Sequence, residues 1–118
     1  MVLISIGSIE CHGRHMPLGT DTLIPEHLLE KIEKKSDVLI APTIPYGSCQ
    51  CLAPYPGTID IDGEVLYQFC RQIFLSLYRH GARKFVFLNG HGGNIKMIER
   101  LGLEFEDKGC LVAMLNWC

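Results

Sequence analysis

A chain of 118 residues, 47% hydrophobic and 20% charged, has room for one domain with an ordinary globular core and excludes a disordered or fibrous polymer. Lys and Arg number 11 against 13 Asp and Glu, a formal net charge of −2 with no basic stripe for phosphates, so nucleic acid is not an expected partner. The apolar stretch 1–7 is too short for a signal sequence or a membrane span and carries no basic lead, which makes the cytoplasm the expected address and a membrane an unexpected partner.

In chain order, residues 2–6 form a short, branched apolar run stopped by Gly7, the pattern of a strand buried on both faces. Residues 23–35 place Leu28, Leu29 and Ile32 at helical spacing, with Thr22 as the cap and Pro25 in the first turn. Strand character returns over 38–41, and 43–58 is loop, dense in Pro, Gly and Ser. From Gly63 to His80 a long amphipathic helix follows Asp62, with Val65, Leu66, Phe69, Cys70, Ile73, Phe74, Leu77 and Tyr78 on one face. Residues 84–88 read as a strand and 90–93 as a tight glycine turn. Ile95, Ile98, Leu101 and Phe105 mark another helix, and 110–115 a last strand. Strands alternating with helices predict the α/β class, with right-handed crossovers and a parallel sheet. The chain stops directly after its last strand, without a helix to cover that strand's second face, so a longer protein is expected.

Ligands gather at the carboxyl ends of parallel strands, which selects two loops. The first, residues 8–21, holds Glu10, His12, His15 and Asp21. In an extended segment Glu10 and His12 project to one side while Cys11 points away, and Asp21 at the next helix start can close the site. The second, residues 89–94, surrounds His91 with Gly90, Gly92 and Gly93, letting the backbone bend sharply and display the imidazole. Carboxylate oxygens with imidazole nitrogens suit zinc, manganese or iron, and an ion with open positions lowers the pKa of bound water towards neutrality, the chemistry of hydrolysis. Asp21, with two oxygens, is able to bridge a pair of ions, and the amides around Gly92 and Gly93 are candidates for stabilising an oxyanion.

The run from Glu10 to Asp21, the segments Pro45-Tyr46-Gly47 and Pro56-Gly57-Thr58, and the stretch Asn89 to Asn94 together resemble the creatininase (creatinine amidohydrolase) family. The resemblance implies a three-layer α/β/α sandwich with a mainly parallel sheet, of which residues 1–118 are the amino-terminal part. It implies a centre of one or two divalent ions, zinc, manganese or iron, with Glu10, His12, Asp21 and His91 on ligand positions and Asp21 as the bridge. It further implies cleavage of a carbon–nitrogen bond in a small cyclic or linear amide; a homo-oligomer is the expected assembly. Creatininase itself carries a glutamate two residues after the second-block histidine, where this chain has Gly93, so creatinine is the less expected substrate. The missing carboxylate and the proton shuttle are expected from a later segment. The competing reading is a non-catalytic remnant, or a metal-binding half that needs a partner chain.

Each group also has a plainer role. Asp21 alone reads as a helix cap, but an unpaired cluster with Glu10, His12 and His91 is costly to desolvate without a cation. The glycine turn lacks the lysine of a phosphate-binding loop. With no export signal the six cysteines read as thiols: Cys70 and Cys110 as core, Cys49 and Cys51 as loop thiols, since a second pair for a zinc knuckle is missing. His15 supports a ligand or packs the loop, His80 meets a helix end, His27 is solvated, and Asp62 caps a helix rather than belonging to a calcium loop with Asp60 and Glu64.

Overall fold

The computed structural model describes residues 1–117. Four strands, β1 (Val2–Ile6), β2 (Leu39–Ile40), β3 (Lys84–Asn89) and β4 (Leu111–Asn116), alternate with three helices, α1 (Thr20–Glu33), α2 (Gly63–Arg79) and α3 (Ile95–Glu106). Single 3-10 turns lie at Gln50–Leu52 and Gly92–Asn94. All strand pairs are parallel, in the order β2-β1-β3-β4. Among the described residues no helix is long and apolar enough to cross a membrane.

Helices lie on both faces of the sheet, as a parallel sheet favours, but α1 stands alone on its face and leaves Leu111 and Leu115 of β4 exposed there. Along β1, Val2, Ile4 and Ile6 pack against α2 and α3, while Leu3 joins Leu29 of α1 and Leu88 of β3 on the opposite face. The larger core centres on Phe74 of α2, stacked on Phe85 with centroids 4.2 Å apart and edge-on to Phe105 of α3 at 5.1 Å. The expected three-layer α/β/α arrangement is therefore present. Asp62 caps α2 by accepting from the Glu64 and Val65 amides, as its position predicts.

Three boundaries differ from the sequence reading, each for a local reason. Helix α1 starts three residues earlier, at Thr20, and Gly19 occupies the cap position with no side-chain cap; Thr22 lies inside the helix and donates to the Ser8 and Pro45 carbonyls. Pro25 thereby sits beyond the first turn and removes the helical N–H that would pair with the Asp21 carbonyl. Strand β2 is shorter than expected because Pro42 and Pro45 lack ladder donors; pairing with β1 resumes only at Ala41 and Ile44, whose amides donate to Leu3 and Ser5. Cys110 is buried before β4 rather than within it. On α2, Val65 and Phe69 are exposed, since the short β2 does not reach far enough to cover the whole apolar stripe.

The strand order places the turning point of the topology between β1 and β3, paired in register from Val2 with Phe85 to Ile6 with Asn89. Crossovers leave in opposite directions there, opening a crevice at the carboxyl ends of the two strands. The loops carrying Glu10 and His91 both start at that point.

Candidate metal centre

The crevice gathers all four predicted ligands. Glu10 and Asp21 are buried, and the side chains of His12 and His91 retain 16% and 13% exposure. His91 is thus largely enclosed rather than displayed: the Ser48 segment folds over its ring. Asp21, in the first turn of α1, caps nothing. Its two oxygens diverge, Oδ1 lying 3.0 Å from His12 Nε2 and Oδ2 3.1 Å from His91 Nδ1. Glu10 spans the same pair less symmetrically, with Oε1 4.0 Å from His12 Nε2 and Oε2 3.2 Å from His91 Nδ1.

The far nitrogen of each imidazole decides what the near one offers. His12 Nδ1 lies 3.1 Å from the Glu10 carbonyl and His91 Nε2 2.9 Å from the Ser48 carbonyl. A carbonyl only accepts, so in both rings the far nitrogen carries the proton. In a neutral ring the near nitrogen then presents a lone pair to carboxylate oxygens that likewise only accept. Protons or a cation must lie between them. The same need appears at Glu10 Oε2, a buried oxygen with no hydrogen-bond partner. A ring fixed by a backbone carbonyl and an orphaned carboxylate oxygen are what a divalent ion in this space would satisfy.

Electrostatics without an ion tell the same story. Burial disfavours the imidazolium of His12, but the Glu10 carbonyl and the Asp21 carboxylate outweigh it and raise its pKa. At His91 burial is likewise outweighed, by the Asp21 carboxylate, Glu10 and the Ser48 carbonyl. Burial opposes ionisation of Asp21, yet hydrogen bonds from His91 and Ser8 hold its carboxyl below the ordinary range. The carboxylates and imidazoles therefore favour positive charge in the space between them.

Buried polar groups hold these side chains in place. Ser8 Oγ donates to Asp21 Oδ2 at 3.0 Å. Asn94, fully buried, donates to the Gly7 carbonyl at 3.0 Å and accepts from the Ser48 amide at 3.1 Å, so one side chain ties together the loops after β1, β2 and β3. Asn89 does the same within its own turn, donating to the His91 carbonyl and accepting from the His91 amide. A Cβ at Gly90 would fall 1.8 Å from the Asp21 carbonyl, so only glycine lets β3 end against the start of α1.

Two groups of donors come within 4.8 Å of one another: Glu10, His12 and Asp21, and Glu10, His91 and Cys49. Cys49 and Cys51 are both free thiols on the loop, as expected. The Cys49 and Cys51 pair splits, Cys51 facing solvent while Cys49 is buried beside Glu10. Burial first, then the Glu10 carboxylate, pushes the Cys49 thiol up to about 12. Its burial follows from the irregular loop that carries it, which enters the crevice from the β2 side. His15 is exposed and belongs to neither group, nor does Cys11. His27 pairs only with the exposed Glu30, and His80 ends α2. A cleft of about 390 Å³ opens from the centre, lined by Glu10, Ser48, Cys49, His91, Gly92, Gly93 and Lys96 among others.

The family model described as creatinine amidohydrolase matches residues 1–117. The chain belongs to the creatininase family. It is 33% identical over 103 residues to the creatinine amidohydrolase of Pseudomonas putida, covering 83% of this chain and 40% of that one. It is 34% identical over 108 residues to the mycofactocin precursor peptide peptidase of Mycolicibacterium smegmatis, covering 83% and 42%. A solved mutant creatininase of the Zn-Zn type superposes with a TM-score of 0.83 at 30% identity, over 98% of this chain and 49% of that one. This creatininase-family chain thus spans about half the length, or less, of the relatives it matches.

Proposed function

We propose that the protein is a metal-dependent amidohydrolase cleaving a carbon–nitrogen bond of a cyclic or linear amide, with Glu10, His12, Asp21 and His91 as ligands of one or two zinc, manganese or iron ions. One observation carries the reading: two imidazoles, each fixed by a backbone carbonyl, aim bare nitrogens at Asp21 and at a Glu10 oxygen that has no other partner. Family membership supports the same chemistry.

When bound, the ion activates water and polarises the substrate carbonyl. The chain's own residues do the rest. Asp21 bridges the two histidines through separate oxygens, Ser8 orients its carboxylate, and the Glu10 and Ser48 carbonyls fix the ring tautomers. Gly92 and Gly93, exposed at the cleft mouth, bring backbone amides within range of a carbonyl oxygen that gains charge during attack. Gly93, at the position where creatininase carries a glutamate, makes creatinine the weaker substrate. His91→Ala in the full chain is expected to lose bound metal and hydrolysis together; unchanged metal content refutes the ligand role. A second reading, a metal-binding half that turns over only beside another polypeptide, is favoured by the relatives' roughly doubled length. Metal binding without turnover in the isolated chain supports it.

A further inference from the structure

We propose that Cys49 is a metal ligand, its thiolate joining Glu10 and His91 to form a sulfur-containing half of the centre distinct from the all-oxygen and nitrogen half at His12. This rests on the reading that the crevice holds a divalent ion.

Three independent features place Cys49 there. Its sulfur, a Glu10 oxygen and a His91 nitrogen lie within 4.8 Å of one another, with Cys49 3% and Glu10 5% exposed. Glu10 Oε2, on the His91 side of the carboxylate, is the buried oxygen that lacks a partner. The Cys49 backbone is also clamped: its amide donates to Asp60 Oδ1 at 2.6 Å, and the preceding Ser48 bonds to Asn94 through its amide and to His91 through its carbonyl. The residue that fixes the His91 ring is thus covalently next to the thiol. Gly93 completes the case, since a Cβ there would stand 2.0 Å from the Ser48 carbonyl. With this backbone no side chain at 93 can enter the centre, and the donor on that side comes from the segment that fills the space.

The chemistry of the two halves differs accordingly. Thiolate favours zinc over manganese, whereas carboxylate with imidazole accepts either. Loading the Cys49 half breaks the S–H bond, forms a sulfur–metal bond and releases the proton to solvent.

Cobalt(II) loading of the full chain tests the assignment without reference to activity. The wild-type protein is expected to show a near-ultraviolet thiolate-to-cobalt charge-transfer band, lost in Cys49→Ser and kept in the Cys11→Ser/Cys51→Ser double variant. Cys49→Ser is expected to lower zinc affinity at least about tenfold while changing manganese affinity less than about threefold. Cys49→Asp is expected to retain cobalt without the band. Bound cobalt with no band, a band surviving Cys49→Ser, or a band lost in the double variant overturns the role of Cys49 and leaves the metal centre standing. No bound cobalt by elemental analysis overturns both.

Discussion

Asn94→Ala removes a fully buried side chain that joins all three loops of the crevice, and its cost follows from the bonds it makes. The fully buried amide donates to Gly7 and more weakly, at 3.3 Å, to Asn89 Oδ1, and accepts from Ser48. Truncation leaves the buried Gly7 carbonyl and the Ser48 N–H without these partners, at about 1–3 kcal/mol each. A loss near 3 kcal/mol is expected, read by urea unfolding of the metal-free protein, or roughly 10 °C in melting temperature. The variant also releases the Ser48 amide, loosening the residue whose carbonyl accepts from His91 Nε2. Metal affinity should therefore fall about 10- to 100-fold, the range for losing support behind a ligand. A stability change under about 1 kcal/mol with unchanged metal affinity refutes the reasoning that Asn94 positions the centre.

Gly93→Ala should be destabilising by roughly 1–3 kcal/mol, because its Cβ would collide with the Ser48 carbonyl; equilibrium unfolding at wild-type stability would contradict the packing described. The metal-free protein should also have a distinctive pH dependence. His12 and His91 titrate above their ordinary 6.5, so their stabilising effect is complete below that pH and is lost as pH rises through their folded values. Asp21 titrates below its ordinary 3.8, so its contribution is present above that pH and lost as pH falls through the folded value. Metal-free stability therefore peaks in the mildly acid window between 3.8 and 6.5, and the increment from added metal grows above it. Thermal melts in chelator from about pH 4 to about pH 9 measure this; a metal-free melting temperature that rises steadily through neutrality would contradict it.

The elements and the convergence of Glu10, His12, Asp21 and His91 were legible in the sequence for the same reason. Residues 2–6 and 84–88 are branched or aromatic runs that only a doubly covered strand can bury, and the two strands bring Glu10 and His91 to one edge whatever the loops do. What the sequence hid lies in irregular backbone. The start of α1 depends on the chain at Pro17 to Gly19 rather than on a cap residue, as the Thr20 hydroxyl bond to Pro17 shows. The enclosure of His91 and the burial of Cys49 both come from the 43–58 loop folding back over the crevice, held by Asn94 at long sequence range and by Asp60 just beyond the loop. Such contacts have no period and leave no local pattern. Conversely, the apolar stripe of α2 overstated its buried face, because spacing reports which residues share a face and not how far the sheet extends beneath them.

Zinc-loaded crystals of the full chain, measured at the zinc absorption edge, locate the ion and the side chains that hold it. An anomalous peak is expected in the crevice within roughly 2.0–2.2 Å of His12 Nε2 or His91 Nδ1 and of carboxylate oxygens from Asp21 and Glu10. A crevice without a peak, or with zinc held elsewhere on the chain, would contradict the proposed ligand set.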